Sequence, residues 1–254
     1  MERVLNVVLS HQSPADVDRL ATYWESLVEN GDVLVAYGGP RESFEEIQFQ
    51  RKLFITDASL RTLDHQREGQ SYTAVFKEVS RWLKANSHPA EFVTLFEFDH
   101  VPLVPDLNRR QVERMRAEQA DVVAYHLDRV DGTSHAHYLY YAANAEFARF
   151  LRNVSLRKDH NVVLSMFGTG SCWTREAFDA VSGFTEPFPV YFELYLPTLA
   201  HHLGFRLRDY ASQDNFVSNL GDRSTEIQTA REHGGWSLHP VKHLTPLVSA
   251  SSQN

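Results

Sequence analysis

The stretch "FVTLFEFDHVPL", Phe92–Leu103, decides how this 254-residue chain is read. Phe92 to Phe98 has the composition of a sheet strand, yet the run ends in Glu97, Asp99 and His100. Side chains at i and i+2 of a strand share a side, so Glu97 and Asp99 point together while Phe98 turns into the core. Two carboxylates so placed can hold a divalent cation through oxygen ligands, Mg2+ or Mn2+, with the His100 nitrogen nearby. Taken alone, the pattern fits equally well a strand that has reached solvent, with acids capping its loop.

Working outward, Val4–Leu9 is an apolar run followed by Ser10 and His11. A helical stretch opening at Pro14 then places Leu20, Trp24 and Leu27 at helical spacing. "DVLVAYGG" (Asp32–Gly39) reads as a second buried strand ending in glycines, and "KLFITD" (Lys52–Asp57) as a third. A helix is predicted from about Gly69 to Lys84, and another over "DLNRRQVERMRAEQA" (Asp106–Ala120); "ADVVAYHL" (Ala120–Leu127) is one more strand. Nearly apolar strands alternating with helices predict an α/β fold, a largely parallel central sheet with helices on both faces. Ligands of such sheets bind where strands end at their carboxyl side. Ser10-His11, Tyr37-Gly38-Gly39, Asp57 and Glu97-Asp99-His100 all stand at such ends.

With 43% hydrophobic and 23% charged residues, the chain has the composition of a soluble globular protein. It is expected to form one domain over residues 1–246, with "SASSQN" and its approach, 247–254, as a disordered tail. A net charge of −8 argues against nucleic acid as partner, since phosphate backbones are bound by clustered Lys and Arg. The single cysteine, Cys172, excludes an intrachain disulfide and suits a reducing compartment. No secretory leader or spanning run is read in the chain. A cytoplasmic location is therefore expected, at most peripheral to the inner face of the membrane.

In "EFVTLFEFDHVPLVPDL", Glu91–Leu107, an apolar strand runs into acid-x-acid, then Pro and an acidic helix start. This resembles the Asp-x-Asp segment of GT-A-type nucleotide-sugar glycosyltransferases, in particular the bacterial family 2 pattern. Glu97 stands where the family has Asp, so the resemblance places the metal and diphosphate role on Asp99, with Glu97 reaching the nucleotide or the cation beside it. "GTGSCWTREAFDAVSGFTEPFPVYFELYLPTLAHHLGFRL", Gly168–Leu207, is similar to the family's acceptor loop, its Arg-x-Ala-Phe helix and its Glu-Asp motif before a helix ending in Gly. Counted back from Gly204, Glu193 holds the place of the second acid, the catalytic base; Phe192 replaces the first. Pro197 suits a first helical turn, which puts Glu193 just before that helix. "WSLHPVKHLTP", Trp236–Pro246, is similar in kind to C-terminal segments that return a His to the cation and a Lys to the diphosphate. That implies His239 or His243 as a ligand and Lys242 as the anion contact. Ser10, His11, Gly38, Asp57 and Arg67 are the candidates for holding the nucleotide.

The resemblance implies a metal-dependent transfer of a sugar from a UDP- or GDP-sugar to a hydroxyl of a glycan, lipid or small molecule. Glu193 as base implies inversion. The damaged Glu-Asp motif and the His-x-x-Lys ending keep two rivals open: a retaining transferase, and a nucleotide-sugar-binding module impaired in catalysis. "SHAHYLYY", Ser134–Tyr141, reads as an edge strand with aromatic pairs in preference to a two-His metal face.

Overall fold

The computed structural model describes residues 3–56, 65–142, 144–184, 188, 190–211 and 213–243. In chain order the elements are β1 (Val4–Ser10), α1 (Pro14–Leu27), β2 (Gly31–Tyr37), α2 (Arg41–Glu46), β3 (Lys52–Phe54), α3 (His65–Ala85), β4 (Phe92–Glu97), β5 (Val101–Pro102), α4 (Leu107–Ala117) and β6 (Val122–Ala124). Then follow β7 (Asp128–Arg129), α5 (Ala136–Ala142), α6 (Ala145–Val154), β8 (Leu164–Ser165), β9 (Ser171–Thr174), α7 (Arg175–Ser182), α8 (Phe192–His202), β10 (Leu207–Asp209), α9 (Ile227–Glu232) and β11 (Ser237–Leu238).

Seven strands form one sheet in the order β10-β6-β9-β4-β1-β2-β3. β1 runs parallel to β2 and β4, β2 to β3, and β6 to β10. β9 runs against both of its neighbours, β4 and β6. The fold is thus α/β with a mostly parallel central sheet, as the apolar strands predict. All seven residues of β1 are buried because helices cover both faces. Leu5, Val7 and Leu9 pack with Val75, Val79 and Leu83 of α3 and with Leu196 and Leu199 of α8. Val8 on the opposite face joins Leu20 and Trp24 of α1, and Val4 meets Val112 and Met115 of α4. Burying such a side chain contributes about 1.5–3 kcal/mol relative to leaving it in water.

The central strands β1 and β4 end side by side, with Leu9 opposite Glu97. The C-terminal segment returns to this point through a two-residue pairing, β5 antiparallel to β11, with Val101 opposite Leu238. The Val241 N–H then donates to the Asp99 carbonyl at 2.7 Å, which fixes the segment beside the end of β4.

In two places the elements differ from the sequence expectation. Ser134–Tyr141 is no edge strand, because Ala136–Ala142 forms α5. An eight-residue alternation of His and aromatics does not by itself fix the period, and packing against α6 and α8 selects the helix. Glu193 lies within the first turn of α8 and not before it, with Pro197 inside the helix. Proline has no N–H to give to the residue four back. Here that residue is Glu193, and its carbonyl accepts the Met166 N–H at 2.9 Å instead. Asp57 and the 247–254 segment lie outside the described residues, as does the side chain of Arg67, whose backbone belongs to α3. Among the described residues no helix is long and apolar enough to cross a membrane.

Candidate active site

β4 ends at Glu97, which is partly exposed, one residue earlier than the sequence predicts; the turn that follows places Asp99 in a buried position, 3% exposed, and leaves Phe98 half-buried beside the cleft and not in the core. His100 is fully buried, and both of its ring nitrogens are engaged, Nδ1 with Thr169 Oγ1 at 3.0 Å and Nε2 with Ser237 Oγ at 2.8 Å. Burial first, then the neighbouring His239, hold its pKa well below the usual imidazole range, against the opposing pull of Asp99. His100 is therefore a neutral clamp joining β4, the β8–β9 loop and β11.

His239, just after β11, faces the carboxylates. Its Nδ1 lies 2.7 Å from the Ser218 carbonyl oxygen, which can only accept, so Nδ1 carries the proton. In the neutral ring the Nε2 lone pair then points at Asp99 Oδ1, 3.3 Å away, and Glu97 Oε2, 3.9 Å away. A lone pair set against two carboxylate oxygens is stable only with a proton or a cation between them. Ligand atoms of Glu97, Asp99 and His239 lie within 4.8 Å of one another, and Asp99 Oδ1 is buried without a hydrogen bond. This mixed oxygen and nitrogen set fits Mn2+ or Mg2+, and the Ser218 carbonyl supplies the outer partner that orients a ligating imidazole.

Lys242 Nζ contacts Asp99 Oδ2 and lies 5.5 Å from the centre of the Phe98 ring. Burial pushes the Asp99 carboxyl up, but the contacts with His239 and Lys242 outweigh it and bring the value down to about 2. A depressed carboxylate stabilises the fold above its ordinary pKa and loses that contribution as the pH falls through the folded value. We expect the unfolding free energy to fall between about pH 6 and pH 2 by about 2 kcal/mol more in the unmodified protein than in Asp99→Asn, read by urea titration at the two pH values.

Glu193, on the other side of the β8–β9 loop, is 13% exposed. Its Oε1 accepts the Gly168 N–H at 2.7 Å, and its Oε2 lies 3.4 Å from His137 Nδ1. Gly168 permits this approach, since a Cβ there would stand 2.5 Å from the Phe192 ring and 2.9 Å from Glu193 Oε1. Three consecutive residues span the site. Phe167 lies edge-on to His239 with ring centres 5.2 Å apart, Gly168 holds Glu193, and Thr169 Oγ1 accepts the Glu97 N–H at 2.8 Å. Gly170, at φ +84°, closes the turn with its N–H on the Leu95 carbonyl at 2.7 Å.

A cleft of about 240 Å3 opens beside Lys242 and is lined by Ser10, Arg19, Phe98 and His243, among others. Ser10 is buried at the end of β1, with its hydroxyl accepting the Gln12 N–H at 3.2 Å and its carbonyl the Gly38 N–H at 2.9 Å. Gly38 lies buried behind it, and the exposed His11 meets the Phe98 ring edge-on at 5.2 Å. His243 is turned from Asp99 towards Asp222, 3.6 Å away. Of the two C-terminal histidines, His239 is the one brought to the carboxylates. Cys172 is fully buried, which pushes its thiol up and leaves it inert. His137, Thr169 and the Ser218 carbonyl are the participants that sequence reasoning missed. Only His137 left a trace there, as one of two alternate histidines.

No protein-family model and no curated protein matches the chain. Among solved structures, it is similar to a mannosyltransferase from Pyrobaculum calidifontis in complex with GDP-Man and Mn2+, at 12% identity and a TM-score of 0.45, covering 99% of this chain and 64% of that one. It is similar also to glucosyl-3-phosphoglycerate synthase from Mycobacterium tuberculosis in complex with Mn2+ and UDP-Glc, at 10% identity and a TM-score of 0.40, covering 82% and 68%. A mycobacterial protein is similar at 13% identity and a TM-score of 0.44, covering 82% of this chain and 64% of its own. The chain thus spans less than two thirds of the length of two of these three structures.

Proposed function

We propose that the protein is a metal-dependent glycosyltransferase that moves a sugar from a UDP- or GDP-sugar to a hydroxyl acceptor with inversion. One observation carries this reading: Glu97, Asp99, His239 and Lys242 converge where β4 ends, and residues 167–169 tie that cluster to Glu193. Glu97, Asp99 and His239 would hold Mn2+ or Mg2+, which supplies charge stabilisation to the departing diphosphate. Lys242 would contact the same anion, and the cleft lined by Ser10 and Arg19 would receive the nucleotide. Glu193, held through Oε1, takes the acceptor hydroxyl's proton on its other oxygen.

Calorimetric titration with UDP, GDP and their sugars, with and without Mn2+, tests this directly. Tight binding that requires Mn2+ is expected, and absence of binding to every one of them would overturn the proposal. Product stereochemistry by NMR separates inversion from retention. Lys242→Ala should act in opposite directions on the two ligands. Removing an ammonium from Asp99 should raise Mn2+ affinity about three- to tenfold, while nucleoside-diphosphate affinity falls by about tenfold. Titrating Mn2+ alone and then the nucleotide reads both; a fall in both would show that Lys242 does not compete with the cation.

A further inference from the structure

We propose that Asp222 is a positioning residue for Lys242: its carboxylate fixes the backbone of the C-terminal segment so that the Lys242 ammonium stands at Asp99, ready to meet the diphosphate; this rests on Lys242 being the anion contact. β11 ends at Leu238, and beyond it the chain is held by single contacts. Val241 is anchored twice, by burial in the core with Val101 and Leu238 and by its N–H on the Asp99 carbonyl at 2.7 Å. Lys242 is exposed, and its N–H donates to Asp222 Oδ1 at 3.0 Å. The next N–H, that of His243, donates to Ser224 Oγ at 3.0 Å. A side chain as long and rotamer-rich as lysine keeps one target only when its backbone is fixed, because ordering it already costs entropy.

The loop that carries Asp222 is braced for this task. Asp222 Oδ1 also accepts the Ser224 N–H at 3.0 Å and the Ser224 hydroxyl, so the two side chains that receive the Lys242 and His243 N–H groups hold each other in place. The hydrogen bonds from Ser224, and then that from the Lys242 N–H, keep the Asp222 carboxyl below its usual range. An ionised acceptor makes the stronger hydrogen bond. Between them, Arg223 gives its N–H to the Pro240 carbonyl at 2.9 Å and its guanidinium to the Asn215 carbonyl at 2.9 Å. The Ser218 carbonyl, earlier in the same loop, takes the His239 Nδ1–H at 2.7 Å. One loop thus receives both the imidazole that faces the carboxylates and the backbone of Lys242, and it fixes how the two stand to each other. Asp222 Oδ2, 3.6 Å from His243 Nε2, also draws that second imidazole away from the carboxylates.

Two measurements on the full chain test the inference. Calorimetric titrations with Mn2+ alone, and then with GDP and UDP, separate position from charge. Asp222→Ala, in which the Lys242 backbone loses its anchor, should shift the affinities in the directions of Lys242→Ala: Mn2+ affinity up about two- to fivefold, nucleoside-diphosphate affinity down about three- to fivefold. Loss of a nearby negative charge alone would act in the opposite sense on both ligands. Asp222→Asn loses that charge and keeps the acceptor oxygen, so it should stay within about twofold of the unmodified protein. In a Lys242→Ala background, Asp222→Ala should change either affinity by less than about twofold, because the ammonium it positions is gone. A fall in both affinities, or the same nucleotide loss with and without Lys242, would make Asp222 a general support of its loop and overturn the proposal. The second measurement needs no variant. In the unmodified protein the Lys242 amide should exchange with deuterium at least about tenfold more slowly than an unprotected amide, and exchange at the unprotected rate would remove the anchor. If Lys242→Ala gives the opposed shifts and Asp222→Ala gives none, only this inference fails. If Lys242→Ala gives none, or the unmodified protein binds neither GDP nor UDP, the reading of the site fails and this inference with it.

Discussion

Asp99→Asn should weaken Mn2+ binding by at least about 100-fold and lower turnover by about 1,000-fold or more, the equivalent of about 4 kcal/mol of transition-state stabilisation. The substitution keeps size and shape but removes the charge. Asp99 is the buried member of the carboxylate pair, its Oδ1 lacks a hydrogen bond, and both His239 and Lys242 are directed at it. Neither neighbour can take its place. Glu97 is the more exposed, at 35%, and lies farther from His239 Nε2, 3.9 Å against 3.3 Å. Isothermal titration with Mn2+ and a turnover assay check the result, with circular dichroism at neutral pH confirming the fold. Unchanged Mn2+ affinity in a folded Asp99→Asn protein would remove the cation from this site.

Glu193→Gln should lower kcat by about 100- to 10,000-fold while donor binding stays as it was. The amide oxygen still accepts the Gly168 N–H, so the loop and the first turn of α8 keep their places. What the amide lacks is basicity. Calorimetry on the variant should therefore give wild-type affinity for the nucleotide with Mn2+, and single-turnover kinetics should carry the whole defect. A variant that turns over normally would leave Glu193 as a carboxylate that merely complements the positive end of α8. Because Asp99 and Glu193 lie on opposite sides of residues 167–169 and have different proposed tasks, these two substitutions are expected to act on separate steps.

Much of this architecture is legible in the chain. Runs such as Val4–Leu9 and Phe92–Phe96 must leave water on both faces, and that requirement alone implies helices above and below a parallel sheet. The same logic marks Glu97 and Asp99, because acids at i and i+2 at the end of a buried strand break its pattern. Composition and strand–helix alternation by themselves thus determined the layers of the fold and the position of its acidic strand end.

Only the tertiary structure decided which polar groups meet there. His239 and His243 are alike in sequence; the β5–β11 pairing and the Val241 to Asp99 hydrogen bond turn one to the carboxylates and leave the other beside Asp222. His100 looks like a third ligand until Thr169 and Ser237 are seen to engage both of its nitrogens. His137 comes to Glu193 because α5 is a helix packed on α8, where local alternation reads as a strand. In each case the deciding contact is between residues distant in the chain, made by two-residue strands, single hydrogen bonds or the packing of one helix on another. Such contacts form because the packed core brings their partners together, and local sequence preference carries no record of them.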